Sequence, residues 1–184
     1  EVLAFFRAQD AERSAAHHAW AERLRNSPLG QEWLSWHMPP VLADVQWPTF
    51  EAGKGLATRK SSHAVLNAIA SAMPNVIGGS ADLAGSNGTM LKGETAFSAE
   101  NRDGRNLYFG VREHGMAAIC NGMALHGGLR PYCATFLVFH DYHRPSVRLS
   151  GLMKQPVLYI YTHDSIYLGE DGPTHQPVEQ LMAM

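Results

Sequence analysis

Between Thr162 and Pro177 the chain gathers His163, Asp164, Glu170, Asp171 and His175 among small polar residues and glycines. Their spacing matches no standard zinc or calcium pattern, and no cysteine accompanies them, so a bound metal is not indicated. A polyhydroxylated, anionic ligand suits these groups better. Histidine and aspartate hydrogen-bond hydroxyls, and Arg59, further up the chain, offers the forked guanidinium that grips a phosphate. A second cluster, Val111-Arg112-Glu113-His114-Gly115, opens an otherwise apolar helical stretch. Glu113 there could simply complement the helix dipole, worth about 0.3 to 1 kcal/mol. Alternatively, a carboxyl entering buried, apolar surroundings favours its protonated form and can donate to a heteroaromatic nitrogen. The segment from Gly78 to Asn87 carries Asp82 and Ser86 on a glycine-rich loop that matches neither the dinucleotide fingerprint nor the P-loop. Its glycines would let the backbone approach a ligand, or the loop is a capped turn. Phe136, Phe139 and Tyr142 recur at three-residue spacing and would line a cavity or fill a core.

These residues need elements to hold them. Apolar runs at Asn75 to Gly79, Leu107 to Gly110, Pro131 to Phe139 and Val157 to Thr162 predict strands. Between them, helices are predicted from Ser61 and Ser62 as caps to a stop at Pro74, over 112–126 and over 141–153. The 112–126 helix is apolar enough past Glu113 to suggest burial on most sides. Strands alternating with helices in this way predict parallel crossover units, hence an α/β fold with a parallel sheet flanked by helices. In such sheets ligands bind beyond the carboxyl ends of the strands. All the chemistry-bearing clusters fall on those loops.

Residues 1–56 have a different texture. All four tryptophans lie there, while 14 of the 17 glycines fall from Gly78 onward. Val2, Phe5, Phe6, Ala16, Trp20 and Leu24 mark an approximate helical stripe over 2–26; a short amphipathic piece over 30–37 follows, then a Pro- and Gly-rich stretch to Leu56. This predicts a helical and then irregular linker over 1–56, preceding an α/β domain over 57–184.

Composition narrows the function classes. A 184-residue chain with a net charge of −2 and no long basic run shows no footprint for nucleic acid. Two cysteines outside any Cys-x-x-Cys pair point to a reducing, cytoplasmic setting. No stretch reaches the roughly 20 apolar residues a membrane span needs.

The second part of the chain resembles the transketolase family of thiamine-diphosphate enzymes. The resemblance rests on Ala57-Thr58-Arg59-Lys60-Ser61-Ser62, Gly78 to Leu83, Gly110-Val111-Arg112-Glu113-His114-Gly115-Met116, Phe136 to Tyr142, and Thr162 to Pro177, in family order. It implies the family's pyrimidine-binding domain preceded by its interdomain linker. It also implies reversible transfer of a two-carbon ketol unit from a ketose phosphate to an aldose phosphate, through a covalent cofactor adduct, in a homodimer whose active site lies between subunits. By the same resemblance Glu113 meets the N1′ nitrogen of the cofactor's aminopyrimidine. Phe136, Phe139 and Tyr142 surround that ring, with Phe139 stacking on it, and Asp82 lies near the cofactor and the subunit contact. Arg59, Ser86 and His163 hold the sugar phosphate, Asp171 recognises the hydroxyl beside the ketose carbonyl, and His175 lies near the reacting carbonyl.

Two departures accompany the match. Tyr167 stands where the family usually carries a small residue. The Gly-Asp-Gly segment with a following Asn pair, which binds Mg2+ and the diphosphate, is not found, so no metal ligand is expected in this stretch. The chain also stops at Met184, before the remaining strands of such a domain, and reads as a fragment that lacks activity by itself. Two other readings fit the same residues: a dihydroxyacetone synthase-like relative using formaldehyde as acceptor, and a non-catalytic or split-subunit binding module.

Overall fold

A computed structural model describes residues 1–184, which form two compact units, Glu1–Pro39 and Pro40–Met184. The first unit holds helices α1 (Val2–Asn26) and α2 (Gly30–Trp36), with Trp20 and Trp33 edge to face, ring centroids 6.1 Å apart. The predicted stripe on α1 exists as a helix face, but none of its residues is buried within the unit; Val2, Phe5, Phe6 and Trp20 all remain exposed.

In the second unit a parallel sheet is built from β1 (Val76–Ser80), β2 (Asn106–Tyr108), β3 (Arg130–Phe136) and β4 (Leu158–Thr162), in the order β2-β1-β3-β4. Between the strands lie α3 (Thr58–Ala72, before β1), α4 (Ala84–Asn87), α5 (Glu113–His126) and α6 (His140–Met153); α7 (Gln180–Ala183) comes last. Because β1 has β2 on one side and β3 on the other, the strand order reverses there. The carboxyl ends of β1 and β3 therefore flank a crevice where a ligand can enter.

Strand alternation divides the core between two faces. Tyr132 of β3 joins Leu66, Ala70, Met73, Val76 and Leu91 on the α3 face, whereas its neighbour Cys133 joins Ala81, Phe109, Met116 and Cys120 on the α5 face. The same alternation on β4 packs Ile160 with the α3 cluster and Tyr159 with the α5 cluster. The Arg105 guanidinium closes the end of α3, donating to the carbonyls of Ala70, Met73 and Val76 while pairing with Glu94 at 2.7 Å. The bonds to Ala70 and Met73 satisfy carbonyls that a helix end leaves orphaned, and Arg105 holds the Glu94 carboxyl below its ordinary value.

Several local expectations are corrected. Helix α3 begins at Thr58, so Ser61 and Ser62 sit inside its first turns; Ser61 donates to the Thr58 carbonyl (2.8 Å) instead of capping. Gly78 and Gly79 lie within β1, and their bare Cα atoms make room for neighbouring strands. An added Cβ would stand 2.0 Å from the Tyr132 carbonyl oxygen at Gly78 and 1.8 Å from that of Leu107 at Gly79. Strand β3 ends at Phe136, and Leu137–Phe139 turn as a short 3-10 helix into α6. Helix α5 is buried on one face only, through Glu113, Met116, Ala117, Cys120 and Asn121, while Ile119 and Leu125 face solvent. No helix is long and apolar enough to cross a membrane.

Candidate active site

The loops at the carboxyl edge of the sheet form two cavities. The smaller, about 260 Å3, is lined by Ala81, Asp82 and Leu83 after β1, Val111 and Glu113 after β2, Phe139 and Tyr142 after β3, and His175. Glu113 is only 7% exposed although its side chain is a carboxyl group, and directly below it on α5 Met116 is fully buried. No ion pair reaches Glu113 within the chain. A carboxylate is withdrawn from water at such a position only at a cost, unless a partner meets it. The rings are arranged around Phe139. It stacks with Phe136 (6.0 Å, 11°) and Tyr142 (6.1 Å, 28°), and meets His175 edge to face (5.3 Å, 76°). Flat rings beside a sequestered carboxyl suit a planar heteroaromatic ring carrying a basic nitrogen, so the thiamine aminopyrimidine fits this cavity.

A second cavity, about 530 Å3, has the polar side chains Arg59, His163, Asp164, Tyr167 and Asp171 among its lining residues. Arg59 Nη1 donates to His163 Nε2 (3.1 Å) and to the Ser86 carbonyl (3.2 Å), so the guanidinium is held between α3 and the ends of β1 and β4. The His163 ring lies against Phe136, centroids 3.7 Å apart. Burial, and then the Arg59 charge, lower the His163 pKa below its ordinary 6.5 against the opposing pull of Asp171 and Asp164, which favours the neutral ring. A third cavity, about 690 Å3, lies on the other side of Arg59 and is lined by Lys60, His63, Ser86 and Lys92 among others.

Backbone strain concentrates in the same loops. Asp82 (φ 63°), His163 (φ 55°) and Glu170 (φ 67°) are left-handed without being glycine; the remaining example, Lys154, closes α6. Such conformations cost on the order of 1 to 3 kcal/mol, and they persist where surrounding contacts over-determine them.

The structure thus brings Glu113, Phe139, Tyr142, Asp82 and His175 into one cavity and Arg59, His163 and Asp171 into the other. Phe136 is not on either lining. It is 6% exposed and lies between the two, under Phe139 and His163. Ser86 meets Arg59 through its carbonyl.

Sequence reasoning missed a buried polar network on α6, the helix that also carries Tyr142. Helix α6 buries His140, His143, Ser146 and Ser150. The two histidine Nδ1 atoms each lie 2.9 Å from the Tyr161 hydroxyl, and Ser150 bonds Asn121 and Tyr159. Burial, reinforced by His140 and His114, pushes His143 down to about 4. Burial also lowers His140 and raises Tyr159 to about 12. The signal was present as the period-three-and-four spacing of these polar residues, which a search for apolar faces passes over.

A family profile described as "Transketolase, pyrimidine binding domain" matches residues 54–184. A transketolase of Halalkalibacterium halodurans is 58% identical over 141 residues, covering 77% of this chain and 21% of that protein. Among solved structures, the transketolase from Leishmania mexicana aligns with a TM-score of 0.90 at 40% identity, over 98% of this chain and 28% of that one. A Pichia stipitis transketolase in complex with sedoheptulose 7-phosphate aligns with a TM-score of 0.85 at 40% identity, over 94% and 28%. The chain therefore spans between a fifth and a third of the length of these relatives.

Proposed function

Because the chain belongs to the transketolase family, we propose that it supplies the pyrimidine-side wall of an active site that moves a two-carbon ketol unit reversibly from a ketose phosphate to an aldose phosphate. The observation that carries this reading is the pairing, at one sheet edge, of a ring-lined cavity holding a sequestered carboxylate with a polar cavity holding a fixed guanidinium. Residues 57–184 then form the pyrimidine-binding domain and 1–56 the interdomain linker. The whole enzyme is a cytoplasmic homodimer of pentose phosphate metabolism, with the site between subunits. Thiamine diphosphate, when bound, supplies the nucleophilic carbon that cleaves and re-forms the sugar's carbon–carbon bond. Mg2+ and the diphosphate are held by parts of the family's chain that these residues do not span.

Each residue has a role that its surroundings favour. Glu113 holds a proton shared with the aminopyrimidine ring nitrogen, and its burial keeps water from competing for that bond. Phe139 stacks on the ring, supported from behind by Phe136 and flanked by Tyr142; Asp82 bounds the cavity near the subunit contact. His175 lies against Phe139 and orients the reacting carbonyl. Arg59, with Ser86 and His163, holds the sugar phosphate, and Asp171 accepts a hydrogen bond from the hydroxyl beside the carbonyl.

The reading is tested in two steps. Titrating the 184-residue chain with thiamine diphosphate and Mg2+ is expected to show little binding and no ketol transfer; robust turnover by the chain alone overturns its role as one wall of a shared site. The complete enzyme is expected to prefer an aldose phosphate over formaldehyde as acceptor, and the reverse preference contradicts the assigned reaction.

A further inference from the structure

A line of polar side chains runs from Thr162, in the wall of the Arg59 cavity, into the interior of the protein. Thr89 Oγ1 and Ser80 Oγ lie 2.6 Å apart, Asn87 Nδ2 donates to Ser80 Oγ (3.2 Å), and the Thr162 hydroxyl donates to Asn87 Oδ1 (2.6 Å). Thr162 Oγ1 is also 2.9 Å from His163 Nδ1. Asn87 is fully buried, Thr89 and Ser80 nearly so, and Thr162 is 6% exposed. Polar groups so placed are retained only when each is satisfied.

The order of donors decides the chemistry at the far end. A hydroxyl carries one proton. Thr162 spends its proton on the Asn87 carbonyl oxygen, so it offers His163 only a lone pair, and Nδ1 must carry the ring's hydrogen. In a neutral ring the lone pair is then on Nε2, which faces Arg59 Nη1 at 3.1 Å. The opposite tautomer would set lone pair against lone pair at Thr162 and N–H against N–H at Arg59. With both Nη1 hydrogens engaged by His163 and the Ser86 carbonyl, the Nη2 and Nε edge is left for a bidentate anion.

We propose that Asn87 and Thr162 are positioning residues: they fix His163 as its Nδ1–H tautomer, and through that ring they hold Arg59 in the orientation that receives the substrate phosphate. The proposal rests on the reading of Arg59 as a phosphate ligand. It also gives the left-handed backbone at His163 a purpose, since that conformation sets the ring between Thr162 and Arg59.

Long-range 1H–15N NMR of the chain labelled at histidine nitrogens tests the relay directly. His163 is expected as Nδ1–H in the wild type and in Thr162→Ser, and to lose that preference in Thr162→Val. In the complete enzyme Thr162→Val is expected to raise KM for a ketose phosphate about five- to tenfold with kcat little changed. KM for an unphosphorylated ketose stays the same, and Thr162→Ser restores the wild-type KM. An Nε2–H ring in the wild-type spectrum, which requires no variant, overturns the proposal. So does a Thr162→Val enzyme with unchanged KM. Arg59→Ala with unchanged KM for the phosphorylated ketose would instead remove the phosphate reading itself, whatever the tautomer of His163.

Discussion

The cavity around Glu113 and the cavity around Arg59 open on the same edge of one sheet but are made of opposite materials. The first withdraws the Glu113 carboxyl from water among Phe139, Tyr142 and His175, and the helix that carries Tyr142, α6, buries a lattice of polar side chains. The second keeps its guanidinium exposed and steadies it with His163 and a backbone carbonyl. The difference matches two kinds of ligand. A cofactor ring that stays through many turnovers gains from a dry, ring-lined slot, where one hydrogen bond counts for more. A charged sugar that must enter and leave every cycle is better met by a solvated cation of fixed geometry.

The comparison can be broken from the Glu113 side first, where the largest effect is expected. Glu113→Gln in the complete enzyme should fold normally and lose about 10²- to 10⁴-fold in kcat, the range of a lost general acid–base group. Loss confined to KM would move Glu113 from the chemistry to simple binding.

Acid should strike the same side. The His143 ring takes up its proton near pH 4 in the folded chain but near 6.5 when unfolded, so between these values the unfolded chain binds more protons. Its contribution to stability is present above about 6.5 and is lost as pH falls toward about 4, on the order of 3 kcal/mol in all. Denaturant unfolding at a series of pH values should show this loss, and a His143→Gln variant should flatten it; an unchanged slope would place the acid sensitivity elsewhere.

On the polar side effects should be smaller and selective. Arg59→Ala is expected to raise KM for a ketose phosphate about 10- to 100-fold, consistent with losing a charge-assisted pair of hydrogen bonds, and to leave an unphosphorylated ketose unaffected. Equal effects on both substrates would mean that the two cavities are not specialised. The smallest change is at Tyr167, which is 91% exposed on the rim of the Arg59 cavity. Tyr167→Gly should alter folding stability by no more than about 0.5 kcal/mol. Acceptor preference, measured by competing aldose phosphates of different length, should shift only a few-fold.

The same contrast explains what was legible in the sequence. The strands showed as apolar runs, and the ligand loops as polar clusters at their carboxyl ends, because both signals are local. Residues such as Glu113, Asp171 and His175 stood out as polar groups a connector does not need. The start of α3 was misplaced because Ser61 and Ser62 are good caps in isolation, yet the helix forms a turn earlier. The burial of His140 and His143 depends on Tyr161, and the role of Thr162 depends on Asn87, 75 residues away. Spacing marks the shared face of the α6 residues but not the partners that make burial tolerable, since what satisfies these groups arrives from another element of the fold. The stripe on α1 was visible as a helix but not as a core, because none of its apolar residues is buried within its own unit.

The claim that Glu113 acts from a sequestered site on the cofactor ring is tested most directly by proton exchange. In the complete enzyme loaded with thiamine diphosphate and Mg2+, the rate at which the thiazolium carbon's proton exchanges with deuterium can be followed by quenched-flow NMR. The account predicts that Glu113→Gln slows this exchange about 10²-fold or more while Arg59→Ala leaves it unchanged. Wild-type exchange in Glu113→Gln would contradict it.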